Sequence, residues 1–81
     1  MGQDVADRVQ QIVAQQLGIP PAEVLASSSF ADLGADSFAV VELMLAIEEA
    51  FELPITDAEV EQLRTVGEAI SLVVARQRQA R

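Results

Sequence analysis

Residues 36–51 read Asp36-Ser37-Phe38-Ala39-Val40-Val41-Glu42-Leu43-Met44-Leu45-Ala46-Ile47-Glu48-Glu49-Ala50-Phe51. Aspartate is a preferred cap at a helix start, and an apolar run follows Asp36 at once. On a wheel of about 100° per residue, Val40, Leu43, Met44, Ile47 and Phe51 fall on one side and make a complete core stripe. The spacing predicts a helix from about Ser37 to Phe51, stopped by Leu53-Pro54. On its other side lie Glu42, Glu48, Glu49 and Glu52, with Phe38, Val41 and Leu45 among them.

N-terminal to this helix, residues 18–36 make a long connection. Ile19, Val24, Leu25, Phe30 and Leu33 are its expected apolar anchors, with a short turn at 21–25 and Gly34 closing it. A structureless loop of this length is unusual in a small domain unless it has a function. Before it, Val5, Val9, Ile12, Val13 and Leu17 recur at three- and four-residue steps and predict a helix from Asp4 to Leu17. Asp4 and Asp7 suit the positive end of its dipole, and Gly18 then Pro20-Pro21 stop it. C-terminal to the central helix, Thr56 and Glu59 have capping-box spacing before a short helix at Asp57 to Gln62. Thr65 and Glu68 repeat that spacing before a last helix ending near Arg76, with the stripe Val66, Ala69, Ile70, Val73 and Val74. Arg76, Arg78 and Arg81 suit its negative end. The expected architecture is all-α, a small four-helix bundle with a short third helix and a long loop between helices 1 and 2. It forms a single domain over residues 1–81 with a frayed tail at 77–81.

Composition narrows the function. The 81 residues are 51% apolar, and they include no Cys and no His; all five basic residues are Arg. A disulfide scaffold and a thiolate metal site are excluded, and the usual general base and the Schiff-base amine are missing. The net charge of −8 argues against a nucleic-acid or anionic-membrane partner and for partners with basic patches. No stretch approaches the roughly 18–20 apolar residues of a membrane span. The start Met1-Gly2-Gln3-Asp4 shows no secretory pattern, and Ala6 breaks a myristoylation match. The expected compartment is the cytoplasm. A chain this short hides only about 60% of the surface its unfolded form exposes. It has little means to enclose a catalytic cavity, so the expectation is a protein that is acted upon rather than an enzyme.

Two features carry a functional reading. Phe38, Val41 and Leu45 stand among Glu42, Glu48 and Glu49, opposite a core face already filled. Large apolar residues among carboxylates have the composition of a docking surface. Taken singly, Val41 and Leu45 favour a place at the core edge under the long loop, whereas Phe38, in the helix's first turn, favours docking. The second feature is Gly34-Ala35-Asp36-Ser37-Phe38. Backbone N–H groups at a helix start are unpaired and partly positive, and a phosphodiester attached to Ser37 would lie beside them. Local chemistry alone favours an ordinary cap followed by a first-turn serine, since Asp and Ser are common at helix starts. Ser27, Ser28 and Ser29 read as a solvated loop, and Ser71 as a surface residue of the last helix. There is no calcium-loop pattern around Asp32 and Asp36, and no hydrolase motif around Ser37, so metal is not expected.

Phe30-Ala31-Asp32-Leu33-Gly34-Ala35-Asp36-Ser37 resembles the F-x-x-D-L-G-x-D-S signature of acyl carrier proteins, with one residue fewer between the Phe and the Asp. Val41-Glu42-Leu43 through Ile47-Glu48-Glu49-Ala50-Phe51 is similar to that family's second helix. Ile55-Thr56-Asp57 through Thr65-Val66-Gly67 is similar to its third-helix region, and Val9 to Gly18 to its first helix. The resemblance implies a 4′-phosphopantetheine arm on Ser37, with Gly34 and Asp36 shaping the attachment site. It implies a phosphopantetheinyl transferase that loads the arm from coenzyme A with Mg²⁺, and a thiol that holds acyl groups as thioesters. Further implied partners are a ketosynthase, an acyltransferase and other biosynthetic enzymes with basic docking patches, which meet the second helix of a monomer. The family also has an apolar cleft for the acyl chain; Val40, Met44, Ile47, Leu63 and Leu72 are the expected lining.

Two positions depart from the family pattern. Phe38 follows the serine where Leu is usual, and Ala39 stands where many fatty-acid carriers have an acid. Both turn the expectation from housekeeping fatty-acid synthesis towards polyketide or hybrid assembly. Met1 and the charged ends suggest a free-standing protein. Two alternatives stay open here: an aminoacyl or peptidyl carrier, and an acidic helical adaptor without a prosthetic group.

Overall fold

The computed structural model of the chain describes residues 5–79. It contains α1 (Val5–Leu17), a 3₁₀ turn (Pro21–Glu23), α2 (Ser37–Phe51), α3 (Asp57–Gln62) and α4 (Val66–Gln79). α1 packs on α2, on α4 and on the 3₁₀ turn, while α3 lies against α2. The all-α, four-helix expectation with a short third helix holds. α2 has the bounds its sequence predicts. The predicted first residue of α1, Asp4, lies outside the described residues.

The helix ends show why these bounds are legible. Asp36 Oδ1 accepts the Ala39 N–H at 2.8 Å and fixes the start of α2. Thr56 and Glu59 form the reciprocal capping box of α3. Thr65 and Glu68 do the same for α4, and Glu68 Oε1 also takes the Arg64 N–H at 2.7 Å. Gly18 ends α1 with φ +70°, a conformation that costs glycine little. α2 ends on Glu52 at φ 57°, where glycine or asparagine would be usual.

The core is built from one face of each long helix. Val9 and Val13 of α1, Leu43, Met44 and Ile47 of α2, and Val66, Ala69 and Val73 of α4 are buried. Val40 and Phe51, expected in the α2 stripe, pack at the core edge. Burial of each large apolar side chain contributes about 1.5–3 kcal/mol. Val24 and Phe30 plug the long loop into this core, and Ile19 and Leu33 pack against it.

Leu25 corrects the expectation: it is 54% exposed. Val24 and Leu25 are adjacent, and the turn geometry sends only Val24 inward. The loop is also pinned by backbone pairing, which has no local signature in the sequence. Phe30 N–H donates to the Arg64 carbonyl at 2.9 Å, Val66 N–H to Ser28 at 3.0 Å, and Gly67 N–H to Ala26 at 2.8 Å. Ser29 and Thr65 form an antiparallel bridge. Gln10 Nε2 donates to the Val24 carbonyl at 2.6 Å and ties the loop to α1.

α4 runs to Gln79 rather than ending at Arg76, so 77–79 of the expected frayed tail are helical. Arg76 and Arg78 lie in its last turn, where cations favour the helix dipole. Ala80 and Arg81 lie outside the described residues. Among the described residues no helix is long and apolar enough to cross a membrane.

Candidate functional site

Ser37 opens α2 and is exposed. The loop before it is rigidly shaped. Phe30 is buried, and its carbonyl accepts both the Leu33 N–H at 3.1 Å and the Ala35 N–H at 2.9 Å. Gly34 turns the chain at φ +90°, donating its N–H to Ala31 at 3.0 Å. Buried Ala35 then places Asp36 and Ser37 outside the core. With Asp36 engaged as the cap, Ser37 faces solvent. No side-chain hydrogen bond among the described residues engages its hydroxyl. Ser28 and Ser29 differ: their hydroxyls accept the N–H groups of Leu25 and Asp32, at 3.2 and 3.0 Å. Ser27 and Ser71 are exposed on the loop and on α4.

Two hollows meet at Ser37. One, of about 260 Å³, has Phe30, Ala35, Asp36, Val40, Leu63 and Arg64 among its walls. The other, of about 250 Å³, lies between α2 and α3 against Val40, Val41, Val60 and Leu63. Val41, Val60 and Glu61 are shared with a third hollow of about 310 Å³, floored by Met44 and Ile55 and edged by Leu45 and Glu48. Together they make an apolar trough along the α2–α3 seam that starts at Ser37. Of the residues expected to line an acyl cleft, Val40, Met44 and Leu63 are among its walls. Ile47 and Leu72 line none of these hollows: Ile47 is wholly within the core, and Leu72 packs half-buried on it. Val41, Leu45, Ile55 and Val60 are further walls of the trough. Val60 and Leu63 stand three residues apart, the one local signal that α3 presents an apolar edge.

The outer face of α2 is open. Phe38 is 68% exposed, Val41 45% and Leu45 54%. The core-edge alternative for Val41 and Leu45 is thereby removed. Glu42 and Glu49 are exposed beside them. Glu48 is half-buried, and its Oε2 accepts the Ile55 N–H at 2.7 Å. That carboxylate is therefore used within the fold, where it fastens the segment after Pro54 to α2.

The exposed, unengaged hydroxyl fits a bulky attached group, and the hollows beside it leave room for the group's first bonds. Comparison with known proteins points the same way. Residues 7–73 match the family model described as "Phosphopantetheine attachment site". The fold is similar to that of an acyl carrier protein from Thermotoga maritima, with TM-score 0.81 and 27% identity over 91% of this chain and 87% of that one. It is also similar to an acyl carrier protein from Enterococcus faecalis, with TM-score 0.74 and 32% identity over 89% of this chain and 92% of that one.

Proposed function

The chain belongs to the phosphopantetheine-attachment family of non-catalytic carrier proteins, and from that premise we propose that Ser37 is the residue that bears the arm. The observation that carries this is the exposed hydroxyl at the head of α2, which no other side chain among the described residues engages. Asp36 holds the helix start, and Gly34 allows the turn that presents it.

The chain has neither His nor Lys, and the carboxylate beside Ser37, that of Asp36, caps α2, so the transferase takes the Ser37 proton. Ser37 Oγ attacks the β-phosphorus of coenzyme A, the phosphodiester forms, and the bond to 3′,5′-ADP breaks. When bound, the arm supplies the thiol that this cysteine-free chain lacks, and with it the capacity to hold acyl groups as thioesters. The α2–α3 trough shelters the start of the cargo, and the face of Phe38, Val41, Leu45, Glu42 and Glu49 meets partner enzymes. Phe38 and Ala39 favour a specialised polyketide or hybrid pathway over housekeeping fatty-acid synthesis. Phe38 puts an exposed apolar ring directly after the attachment serine, and Ala39 leaves out the acid that a partner would otherwise read beside it.

Incubation with coenzyme A, Mg²⁺ and a broad-specificity phosphopantetheinyl transferase should raise the intact mass by about 340 Da. Ser37→Ala should abolish the gain. A wild-type chain that stays unmodified, or a Ser37→Ala chain that gains the same mass, contradicts the assignment.

A further inference from the structure

Of the four arginines among the described residues, two are engaged and two, Arg64 and Arg78, are exposed with no partner for the guanidinium among those residues; only Arg64 lies beside Ser37. Arg8 donates to the Ala50 carbonyl at 3.1 Å and sits 4.4 Å over the Phe51 ring. Arg76 bonds Glu59 and the Pro54 carbonyl. Arg64 is exposed, and no hydrogen bond or ion pair among the described residues engages its guanidinium. Its backbone, in contrast, is fixed on both sides. The N–H goes to Glu68 at 2.7 Å, and the carbonyl receives the Phe30 N–H at 2.9 Å. Arg64 is also the one basic residue in the walls of the hollow that holds Ser37. In a chain of net charge −8, a cation held at that place by its backbone and left without a partner calls for an anion.

We propose that Arg64 is a positioning residue for the arm, pairing through its guanidinium with the phosphodiester on Ser37 and holding the arm's first bonds over that hollow. Guanidinium matches the non-bridging oxygens of a phosphodiester with two parallel N–H donors. Asp36, the acid in the same hollow, already has one carboxylate oxygen engaged by Ala39, so it competes for Arg64 with only part of its acceptor capacity. An exposed pair is weak between free partners, but here the anion is tethered beside the cation. The expected bias is about two- to fivefold towards the docked arm at low salt. It is largely gone in roughly 0.5–1 M salt, where the screening length falls to a few ångströms.

The inference rests on Ser37 as the attachment point, so the test first takes the intact mass of the loaded wild-type protein. Absence of the gain sinks the assignment of Ser37, and this proposal with it. With loading established, the Arg64 Nε–Hε resonance is followed from apo to holo protein, and ³¹P relaxation of the arm is measured at low and high salt. The expected result is a shift of the Arg64 signal on loading and ³¹P relaxation that becomes freer as salt rises. Arg64→Gln should load fully yet show free-arm relaxation at every salt concentration. Arg64→Lys should keep part of the effect, and Arg78→Gln all of it. An unshifted Arg64 signal in loaded wild-type protein, or Arg64→Gln relaxation equal to wild type, overturns the proposal while leaving Ser37 as the attachment point.

Discussion

Gly67 sets how closely the long loop can approach α4. A Cβ built there would lie 3.0 Å from the Ala26 carbonyl oxygen, the same oxygen that accepts the Gly67 N–H at 2.8 Å. Alanine has the higher helix propensity by up to about 1 kcal/mol, but that gain belongs to helix interiors and Gly67 is in the first turn. The obstacle is backbone, which is held in place by the neighbouring bonds of Ser28 and Phe30. Displacing it lengthens a chain of backbone bonds worth about 1 kcal/mol each. Gly67→Ala should therefore destabilise the fold by about 0.5–1.5 kcal/mol, read as a lower urea midpoint. A higher midpoint would show that the loop yields freely. Glu52 gives the opposite case. Its φ of 57° costs a side-chain-bearing residue about 1–2 kcal/mol. Glycine removes that strain but adds unfolded-state freedom. Glu52→Gly should raise stability by about 0.5–1 kcal/mol in the same measurement.

At the scale of elements, α3 is the weakly held piece. It has six residues, none of them buried, far below the roughly 12–15 at which isolated helices become even marginally stable. Its capping box and the half-buried Val60 and Leu63 hold it, together with Arg76, which reaches from α4 to Glu59 and to the Pro54 carbonyl at 2.9 Å. Glu59 thus serves the cap with one oxygen and the ion pair with the other. Arg76→Ala should speed amide exchange at Glu59–Leu63 by about three- to tenfold, while the slowest amides of α1 and α2 change much less. Uniform acceleration across all helices would contradict a local latch. This element also shows where sequence reading stops. The Asp36 cap, both capping boxes, Gly18 and the core stripes are legible because each joins residues a few positions apart. Ser37 at the exposed head of α2 follows from the same local logic. The Arg76 grip spans 17 and 22 positions, and the pairing of Ala26–Phe30 with Arg64–Gly67 spans more than 30. Neither has a local signature. The trough lining is half legible for that reason: α2 contributes its own periodicity, but only the folded chain brings Val60 and Ile55 against Val41 and Met44. Leu25 and Glu48 depart from expectation because their surroundings are made by the turn and by Ile55, not by their sequence neighbours.

At the scale of the whole molecule, charge and apolar contact are laid out on one helix face, and they should fail in different ways. From Ser37 to Leu53 the chain carries four carboxylates and no basic residue, and Arg8 meets only the far end of α2. Glu42 and Glu49 are exposed there and, unlike Glu48, bond to nothing else among the described residues, so they can act on a partner at a distance. Long-range attraction speeds encounter and is screened by salt; desolvated apolar contact acts after encounter and is not. For loading by a phosphopantetheinyl transferase, Glu42→Lys with Glu49→Lys should lower kcat/KM about tenfold at low ionic strength, through KM. Most of the loss should vanish above roughly 0.5 M salt. Leu45→Asp should lower kcat/KM by a similar factor at both salt concentrations, because it removes contact area and leaves a carboxylate to be desolvated. Circular dichroism should show all variants folded, since the three positions lie outside the core. Equal salt dependence for the two kinds of variant would mean that the acids and the apolar residues of α2 do not divide steering and contact between them.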